Sequence, residues 1–464
     1  MSKPHNSHTH TDVIVVGAGP VGLFTALALA QQGVEVVVVD REQDVDDTPR
    51  AMAFQPCALG EMIEIGIFDE VYAASVKDAT ISWWKARTDD ADHQHLVTIA
   101  TKDGLVSATA VALAGLNLPQ SDLCRIILKH LERYANVNVL WAHSVIDLEQ
   151  TTESANLTVH HETEAGTAEE KTFTANWVIG ADGGSSAIRK LAQVGFEGFT
   201  WPKEAFVATN VYYDFEKYGF TSRNFVIDSV NWAIVAKINN EGLWRVAYGT
   251  QPDKSDEQVR AELPEHYKYI LPGPCQDYRV VRIQKYQPHQ RCVTSMRIGR
   301  VLLLGDAAHL NNPIGGLGLT TGLLDAGPLA RALAAVLSGD APSSLLDEWA
   351  MKRRMAWWNA TNTQSIEFKR IAQQGGYGED PSGIWAKDEV AETSGLLPYL
   401  QNATPEAKSR DEALYVALGD PDKQKASRAR VWDLAMPVDW MAQYEDSDVV
   451  ERRRRLRPVK TLPN

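Results

Sequence analysis

The sequence has no long apolar run and no excess of basic residues. None of the apolar stretches in its 464 residues reaches the roughly 18 residues that a membrane-spanning helix requires. The first eleven residues lack the apolar core of a signal peptide. The formal net charge of −14 disfavours nucleic-acid binding. We therefore expect a cytoplasmic protein with neither a membrane nor a nucleic acid as its partner.

Cysteine is also scarce, with four residues at Cys57, Cys124, Cys275 and Cys292. They form neither a CxxC pair nor a zinc-ligand spacing, so no metal site is predicted. Scattered thiols are typical of a reducing compartment, in which each cysteine serves as a small apolar side chain. Composition is otherwise that of an ordinary globular protein, 44% hydrophobic and 23% charged.

The chain opens with a strand, a helix and a second strand. Residues 12–16 form a short apolar run, residues 20–32 are rich in Ala and Leu, and residues 35–39 form another apolar run. Alternation of this kind predicts a βαβ unit and a parallel sheet. The buried strands predicted at residues 176–179 and 301–304 extend the same sheet.

Residues 17–22 are a GxGxxG sequence between the first strand and the helix. Gly17 allows the tight turn, Gly19 lets the backbone approach a pyrophosphate, and Gly22 lets helix and strand pack closely. The helix N-terminus attracts phosphate, and a carboxylate at the end of the second strand accepts from ribose hydroxyls. The residues predicted to form this site are Gly17, Gly19, Pro20, Val21, Gly22, Asp40 and Arg41.

Three later stretches complete a recognisable order of motifs. Residues 177–189 contain a strand, the Asp182-Gly183 turn and a helix start, and residues 304–309 read Leu-Gly-Asp-Ala-Ala-His. Residues 312–318 then read Asn-Pro-Ile-Gly-Gly-Leu-Gly. The order GxGxxG, DG, GD resembles that of the flavoprotein aromatic hydroxylases, the para-hydroxybenzoate hydroxylase family. The resemblance covers about residues 12–340.

The resemblance implies an α/β fold. A Rossmann-type, GR2-like FAD-binding domain would be interleaved with a mixed or antiparallel β-sheet substrate domain and followed by a helical segment. Residues 231–238 and 243–248 already read as antiparallel strands joined by a turn. The expected domains are FAD-binding at 11–79, 101–195 and 285–345, β-rich at 80–100 and 196–284, and helical at 346–464.

The resemblance also assigns residues to a non-covalent FAD. Asp306 would accept from the ribityl hydroxyls, and Asp182 would position the neighbouring loops. The other implied contacts are Arg50, Gln120, Arg125, Pro313, Gly316, Gly318 and Leu319. The sequence departs from the family pattern at Thr320 and Gly327, where the family usually has Asn.

The chemistry implied by the resemblance is oxygen insertion into an aromatic ring. NADPH or NADH reduces the flavin, O₂ adds to give a C4a-hydroperoxide, and its terminal oxygen passes to an electron-rich ring, commonly a phenol. The site must exclude water. The expected partners are a small aromatic substrate, NAD(P)H and O₂, and family members are often homodimers.

The β-rich part is expected to hold the substrate. Its candidate residues are Tyr212, Tyr213, Arg223, Trp232 and Tyr248. Period-two alternation means that only one of Tyr212 and Tyr213 can face a pocket. The candidates for catalysis include Tyr213 and His289, because a phenol reacts better when a base removes its proton. Pro313, in the stretch that resembles the family's flavin loop, is the third candidate.

Other functions of the same fold stay open at this point. Epoxidation, oxidative rearrangement or dearomatisation of a secondary metabolite would use the same motifs. A flavin reductase or oxidase would share them as well. Substrate-dependent consumption of NAD(P)H and O₂ would separate it, since a reductase needs no oxygen. A non-redox flavin-binding scaffold is a further alternative, although intact phosphate and flavin motifs disfavour it.

Overall fold

The computed structural model describes residues 9–48, 52–76, 80–99, 116–162, 168–275 and 277–373, with residues 436, 440, 441 and 443. Its strands are β1 (Thr9–Val16), β2 (Val36–Val39), β3 (Ala53–Phe54), β4 (Ile81–Lys85), β5 (Gln94–Ile99), β6 (Leu116–Asn117), β7 (Val137–Leu140), β8 (His143–Gln150), β9 (Ala155–Glu162), β10 (Ala168–Gly180), β11 (Phe196–Thr200), β12 (Ala205–Tyr212), β13 (Arg223–Ile227), β14 (Ala233–Lys237), β15 (Leu243–Thr250), β16 (Arg279–Tyr286), β17 (His289–Val293), β18 (Arg297–Ile298), β19 (Val301–Leu303) and β20 (His309–Leu310).

The α-helices of the same residues are α1 (Pro20–Ala30), α2 (Pro56–Glu64), α3 (Phe68–Ala74), α4 (Gln120–Leu131), α5 (Ala187–Leu191), α6 (Asp256–Ile270), α7 (Leu317–Leu337), α8 (Ser344–Ala356) and α9 (Thr363–Gln373). A π-helical segment, Trp357–Asn362, joins α8 to α9. Of these helices, none has both the length and the apolar character needed to cross a membrane.

The first sheet has the order β18-β19-β10-β1-β2-β7. β1 lies between β2 and β10 and pairs in parallel with both. The stretches of these strands that pair in the core, residues 13–16 of β1 and 36–39 of β2, are apolar and buried because both faces of a parallel sheet are covered. The predicted βαβ opening is present, and α1 ends at Ala30 before Gly33, which adopts φ +79°.

β10 is three times as long as the strand predicted from its apolar run. Its final residues pair with β1, whereas its first residues pair in antiparallel fashion with β9, which in turn pairs with β8. This β8-β9-β10 meander projects beyond the parallel core. Its alternating polar residues did not stand out in the sequence because only one face is buried.

The second sheet has the order β16-β12-β15-β14-β13-β4-β5 and is antiparallel except where β13 pairs with β4. The predicted hairpin between β14 and β15 is present. One face of this sheet packs against α6, where Val207, Val246 and Tyr267 belong to one buried cluster. The opposite face borders a cavity.

The helices that follow the glycine-rich loop at residues 312–318 connect the two sheets. α7 packs against α1 and α8, and α9 returns to β13, where the Asp228 amide donates to the Ala372 carbonyl at 3.1 Å. The fully buried Lys369 of α9 lies 2.5 Å from a carboxylate oxygen of Glu204. The predicted fold class, including the helical segment, is therefore confirmed, whereas the domain boundaries stay a prediction.

Candidate active site

A cavity of about 870 Å³ lies between the two sheets. One end is lined by the glycine-rich turn after β1, and the other end by the second sheet. Ligands bind at the carboxyl ends of parallel strands in sheets of this type, which is where the glycine-rich turn lies. The cavity therefore joins the predicted dinucleotide site to the predicted substrate site.

The glycine-rich turn has the shape that a pyrophosphate requires. Gly17 has φ +109°, and a Cβ there would lie 2.4 Å from the Ala181 carbonyl oxygen. A Cβ on Gly19 would meet no atom within 4 Å, so this residue faces open space beside the cavity. Gly19 is the N-cap of α1, and the amide groups and dipole of that helix end are available to an anion.

Asp40 lies beside this turn at the end of β2. Its carboxylate accepts from the Ala18 amide at 2.5 Å and from the Glu42 amide at 2.8 Å. Asp40 and Arg41 both line the cavity. The carboxylate thus stabilises the turn and is positioned to accept a hydrogen bond from a ribose hydroxyl.

A second helix N-terminus opens on the same cavity. Gly315 and Gly316 have φ +98° and +64°, and Gly316 is the N-cap of α7. The cavity-lining residues of this loop include Pro313, Gly316, Gly318 and Leu319. Thr320, which replaces the usual Asn, accepts from the Gln55 amide and donates to the Gly316 carbonyl. Its hydroxyl therefore holds the loop.

The two aspartate motifs are joined to each other. Asp182 caps α5 by accepting from the Ser186 hydroxyl at 2.5 Å and the Ala187 amide at 2.6 Å. Arg189 of α5 then donates to the carbonyls of Gly184 and Ala307. Asp182 lines the cavity as well, so its carboxylate both stabilises the turn and borders the site. Asp306 also lines the cavity, in the 3₁₀ turn Gly305–Ala307 that follows β19.

Behind Asp306 lies a fully buried charged cluster centred on Asp325 of α7. The Asp325 carboxylate accepts from the Gly305 amide at 3.1 Å and from Arg353 Nε at 2.7 Å, and it lies 2.8 Å from His309 Nε2. Burial by itself raises the pKa of Asp325, but His309 and Arg353 outweigh it and hold that pKa below its usual value. The cluster fixes the turn that carries Asp306.

The remaining predicted cofactor contacts differ in their positions. Gln120 lines the cavity. Arg125 does not; it pairs with Asp47 at 2.6 Å and Asp122 at 3.3 Å on the surface of α4. Val21 lines the cavity, whereas Gly22 lies behind it, where a Cβ would come 1.9 Å from the Gly17 carbonyl. Arg50 lies outside the described residues.

Three of the predicted substrate residues do not line the cavity. Tyr213 and Tyr248 belong to the buried cluster that packs under α6, on the other face of the second sheet. Tyr212 lies at the end of β12. The guanidinium carbon of Arg279 lies over its ring, 4.2 Å from the ring centroid. The expectation that one of Tyr212 and Tyr213 faces the pocket is therefore corrected. Tyr213 packs on the face that α6 covers. Tyr212 shares a strand face with the cavity-lining Phe206 and Ala208, but its position at the strand end leaves it outside the lining.

Arg223 and Trp232 do line the cavity, as does His289. The sequence reasoning missed the residues that lie beside them on the same face: Phe206, Phe225, Arg245, Gln284 and Tyr286. Alternation along β12 and β15 was the available signal. It needed the strand register before it could be used, because register decides which residues share a face.

These features together fit FAD. The N-terminus of α1 would hold the pyrophosphate, Asp40 a ribose, Asp306 the ribityl chain, and the N-terminus of α7 the flavin pyrimidine. A family model described as an FAD binding domain matches residues 10–364. Para-nitrophenol 4-monooxygenase of Pseudomonas sp. (strain WBC-3) is 39% identical over 353 residues, which are 75% of this chain and 84% of that protein.

The chain belongs to the FAD-dependent aromatic hydroxylase family. A second relative, 6-hydroxy-3-succinoylpyridine 3-monooxygenase HspB of Pseudomonas putida (strain DSM 28022 / S16), is 35% identical over 74% of this chain and 84% of its own length. The crystal structure of p-nitrophenol 4-monooxygenase PnpA from Pseudomonas putida DLL-E4 superposes with a TM-score of 0.72 at 34% identity, covering 90% of this chain and 98% of that one. This hydroxylase is thus an FAD-dependent monooxygenase.

Proposed function

We propose that this hydroxylase acts on a phenol or a hydroxypyridine at the ring carbon opposite the hydroxyl. The two relatives are named as a 4-monooxygenase of para-nitrophenol and a 3-monooxygenase of 6-hydroxy-3-succinoylpyridine. In both names the oxygenated position lies across the ring from a hydroxyl. An oxygen substituent donates electron density to that carbon, which favours attack on an electrophilic oxygen.

The observation that carries this proposal is the composition of the cavity. Its dinucleotide end and its aromatic end form one continuous space. The aromatic end presents flat apolar side chains, which suit a monocyclic or bicyclic aromatic substrate. These side chains are Phe206, Phe225, Trp232 and Tyr286. A site of this shape would bring a ring to the bound cofactor.

Bound FAD supplies electrons, taken from NADPH or NADH, that activate O₂ for insertion into the ring. The protein's own residues bind and orient. With FAD bound, the N-termini of α1 and α7 would stabilise negative charge on the pyrophosphate and the pyrimidine. The second sheet covers the ring face and excludes water, which would otherwise divert the oxygen to hydrogen peroxide. Assembly as a homodimer stays a prediction.

His289 is the proposed acceptor of the substrate hydroxyl proton. It lines the cavity, and its Nδ1 lies 2.8 Å from the Thr200 hydroxyl, which leaves Nε2 for the proton. Burial, with a smaller contribution from Arg291, lowers the pKa of His289. The neutral form that accepts a proton is therefore already present at neutral pH, and activity should fall only as the pH drops below the ordinary histidine range.

Replacing His289 by glutamine should lower kcat about 100-fold or more with little change in KM, because a positioned base contributes about that factor. The measurement is product formation with a phenol across a pH series. The acid limb should disappear in the variant. His266→Gln is the matched control, since His266 packs on Tyr248 on the other face. A His289→Gln enzyme with wild-type kcat would remove this role.

The proposed function is tested with the purified, FAD-loaded protein. Oxidation of NADPH and of NADH is followed with 4-nitrophenol and with 6-hydroxynicotinate, and O₂ uptake, hydrogen peroxide and hydroxylated product are measured alongside. We expect one compound to stimulate NAD(P)H oxidation with product matching the O₂ consumed. Stimulated oxidation without O₂ uptake would identify a reductase instead. A full stoichiometric yield of hydrogen peroxide with every phenol tested would reject the proposed substrate class.

A further inference from the structure

Gln290 follows His289 on β17 but faces the opposite way. His289 lines the cavity, whereas Gln290 is buried and is not part of the lining. Alternation along the strand accounts for this difference, because successive side chains point to opposite faces. The Gln290 side chain therefore lies in the protein interior, directly behind the wall of the active site.

The side-chain amide of Gln290 joins β17 to two other segments of the chain. Its Oε1 accepts from the Asn312 backbone amide at 2.6 Å, at the start of the 312–318 loop. Its Nε2 donates to the Asn362 side-chain oxygen at 2.9 Å and to the Ser365 hydroxyl at 3.1 Å. Asn362 ends the π-helical segment, and Ser365 lies in the first turn of α9. One side chain thus connects β17, the loop and the start of α9.

The four members of this network are buried immediately behind the cavity. Asn312 and Ser365 have 0% exposure and Asn362 has 2%. None of these four described residues lines the cavity, but Asn311 and Pro313, on either side of Asn312, do. A hydrogen bond buried away from water is not replaced when one partner is removed, so each bond constrains both of its partners. The π-helical geometry at Asn362 is rare in proteins and is frequent at functional sites.

The hydrogen bonding continues through the loop. Asn312 Oδ1 accepts from the Ile314 amide at 3.1 Å. Further along, Gln55 Nε2 donates to the Gly315 carbonyl at 2.7 Å. The ring of Phe368 on α9 packs against Gly315, where a Cβ would lie 2.7 Å from a ring carbon. The network thus holds the start of the loop, and Gln55 and α9 hold its middle.

The position of the loop affects the flavin because α7 begins at its end. Gly316 is the N-cap of α7, and this helix end opens on the cavity. With FAD bound, the amides and dipole of the helix end would stabilise the negative charge of reduced flavin. Such stabilisation requires donors that are in place before the charge develops. A loop released at its start would hold these donors less well.

We propose that Gln290 is a positioning residue that holds the loop, and through it the N-terminus of α7, against the flavin pyrimidine. It acts through the Asn312 amide and does not contact the cofactor or the substrate. The inference rests on the FAD chemistry of the family and is independent of the substrate class proposed above.

Gln290→Met tests the inference, because methionine is a similarly long, unbranched side chain without an amide. The reduction potential of the bound flavin is measured without substrate, by equilibration with a redox dye. We expect the dissociation constant of reduced FAD, relative to that of oxidised FAD, to rise about tenfold, which lowers the potential by about 30 mV. A folded, FAD-loaded Gln290→Met protein with the wild-type potential would overturn the inference.

Gln150→Met is the matched control. Gln150 Oε1 accepts from the Arg300 backbone amide at 2.9 Å, so this substitution also removes a hydrogen bond from a glutamine side chain to the backbone. Gln150 is outside the cavity lining and far from the loop in sequence. The control should keep the wild-type potential. An equal fall in both variants would show a general effect of lost stability and would also overturn the inference.

Asn362→Ala provides a second variant in case Gln290→Met does not fold. Gln290 keeps its bonds to Asn312 and Ser365 in this variant but loses the Asn362 side-chain oxygen. Asn362 is outside the cavity lining, so an effect on the flavin has to pass through the network. The same ratio of dissociation constants should rise about threefold, in keeping with the loss of one neutral hydrogen bond. A wild-type potential in a folded Asn362→Ala protein would contradict the positioning role.

This inference and the proposed function fail separately. The reduction potential is measured without substrate, so a failed substrate screen leaves the role of Gln290 standing. An unchanged potential in the Gln290 variant removes that role and leaves the proposed substrate class standing.

Discussion

Replacing Asp306 by alanine is expected to yield a folded protein that retains FAD much more weakly. Asp306 lies in the short turn after β19 and lines the same cavity as the N-termini of α1 and α7. Its carboxylate would accept from the ribityl hydroxyls, and hydrogen bonds to a charged group contribute about 1.5–3 kcal/mol. The FAD dissociation constant should therefore rise roughly 10- to 100-fold.

The measurement is FAD content after purification, followed by fluorescence titration of the apoprotein. Asp347→Ala is the matched control, because Asp347 is an exposed aspartate on α8 that pairs with Arg297. The control should remain yellow, and the Asp306 variant should melt at the same temperature as wild-type apoprotein. An Asp306→Ala protein with the wild-type dissociation constant for FAD would show that the ribityl chain is held elsewhere.

The second large effect is expected at Asp325. Asp325, His309 and Arg353 all have 0% side-chain exposure, and removing the carboxylate would leave Arg353 buried without it. Breaking a buried ion pair from one side costs about 3–5 kcal/mol. Asp325→Ala should therefore lower the free energy of unfolding by about this amount, and the Gly305 turn should also bind FAD more weakly because its amide loses an acceptor.

Chemical denaturation measures the first effect and FAD titration the second. Glu348→Ala on α8 is the matched control, since Glu348 forms a partly exposed pair with Lys352 at 2.9 Å. Exposed pairs contribute at most about 1 kcal/mol, so this control should be nearly neutral. Equal destabilisation by the two substitutions would show that the Asp325 cluster does not make the predicted contribution to the free energy of unfolding.

The same cluster predicts a pH dependence. The folded-state pKa of Asp325 is below its usual value, so its stabilisation is fully present above the unfolded-state pKa of about 4. It is lost as the pH falls through the folded-state pKa. The stability difference between wild type and Asp325→Asn should accordingly shrink below about pH 4. A difference that grew with acid would contradict the direction of the shift.

Much of the dinucleotide half could be predicted because its signals are local. A GxGxxG between a strand and a helix requires the same few backbone angles wherever it occurs, and Gly17 and Gly19 take the expected positions. Asp40 ends β2 beside that turn, and Asp306 follows β19. Arg125 had no local signal of this kind, and its side chain pairs with Asp47 instead of lining the cavity.

The cluster around Asp325 could not be found in the sequence. His309 and Asp325 are 16 residues apart, and Arg353 is 28 residues beyond Asp325. They meet because α7 and α8 pack against each other behind the GD turn. A charged residue in an apolar helix gives no indication of its partner until the helices are placed.

The sequence by itself determined the order of the motifs, the parallel core and the helix ends that bind phosphate, because short-range backbone geometry specifies each of them. It also determined that alternate residues of the second sheet face opposite ways. Only the tertiary structure decided which way. α6 covers the face with Tyr248, and this leaves Arg245 and Phe206 at the cavity. That choice depends on packing between segments far apart in the chain, which alternation within one strand cannot express.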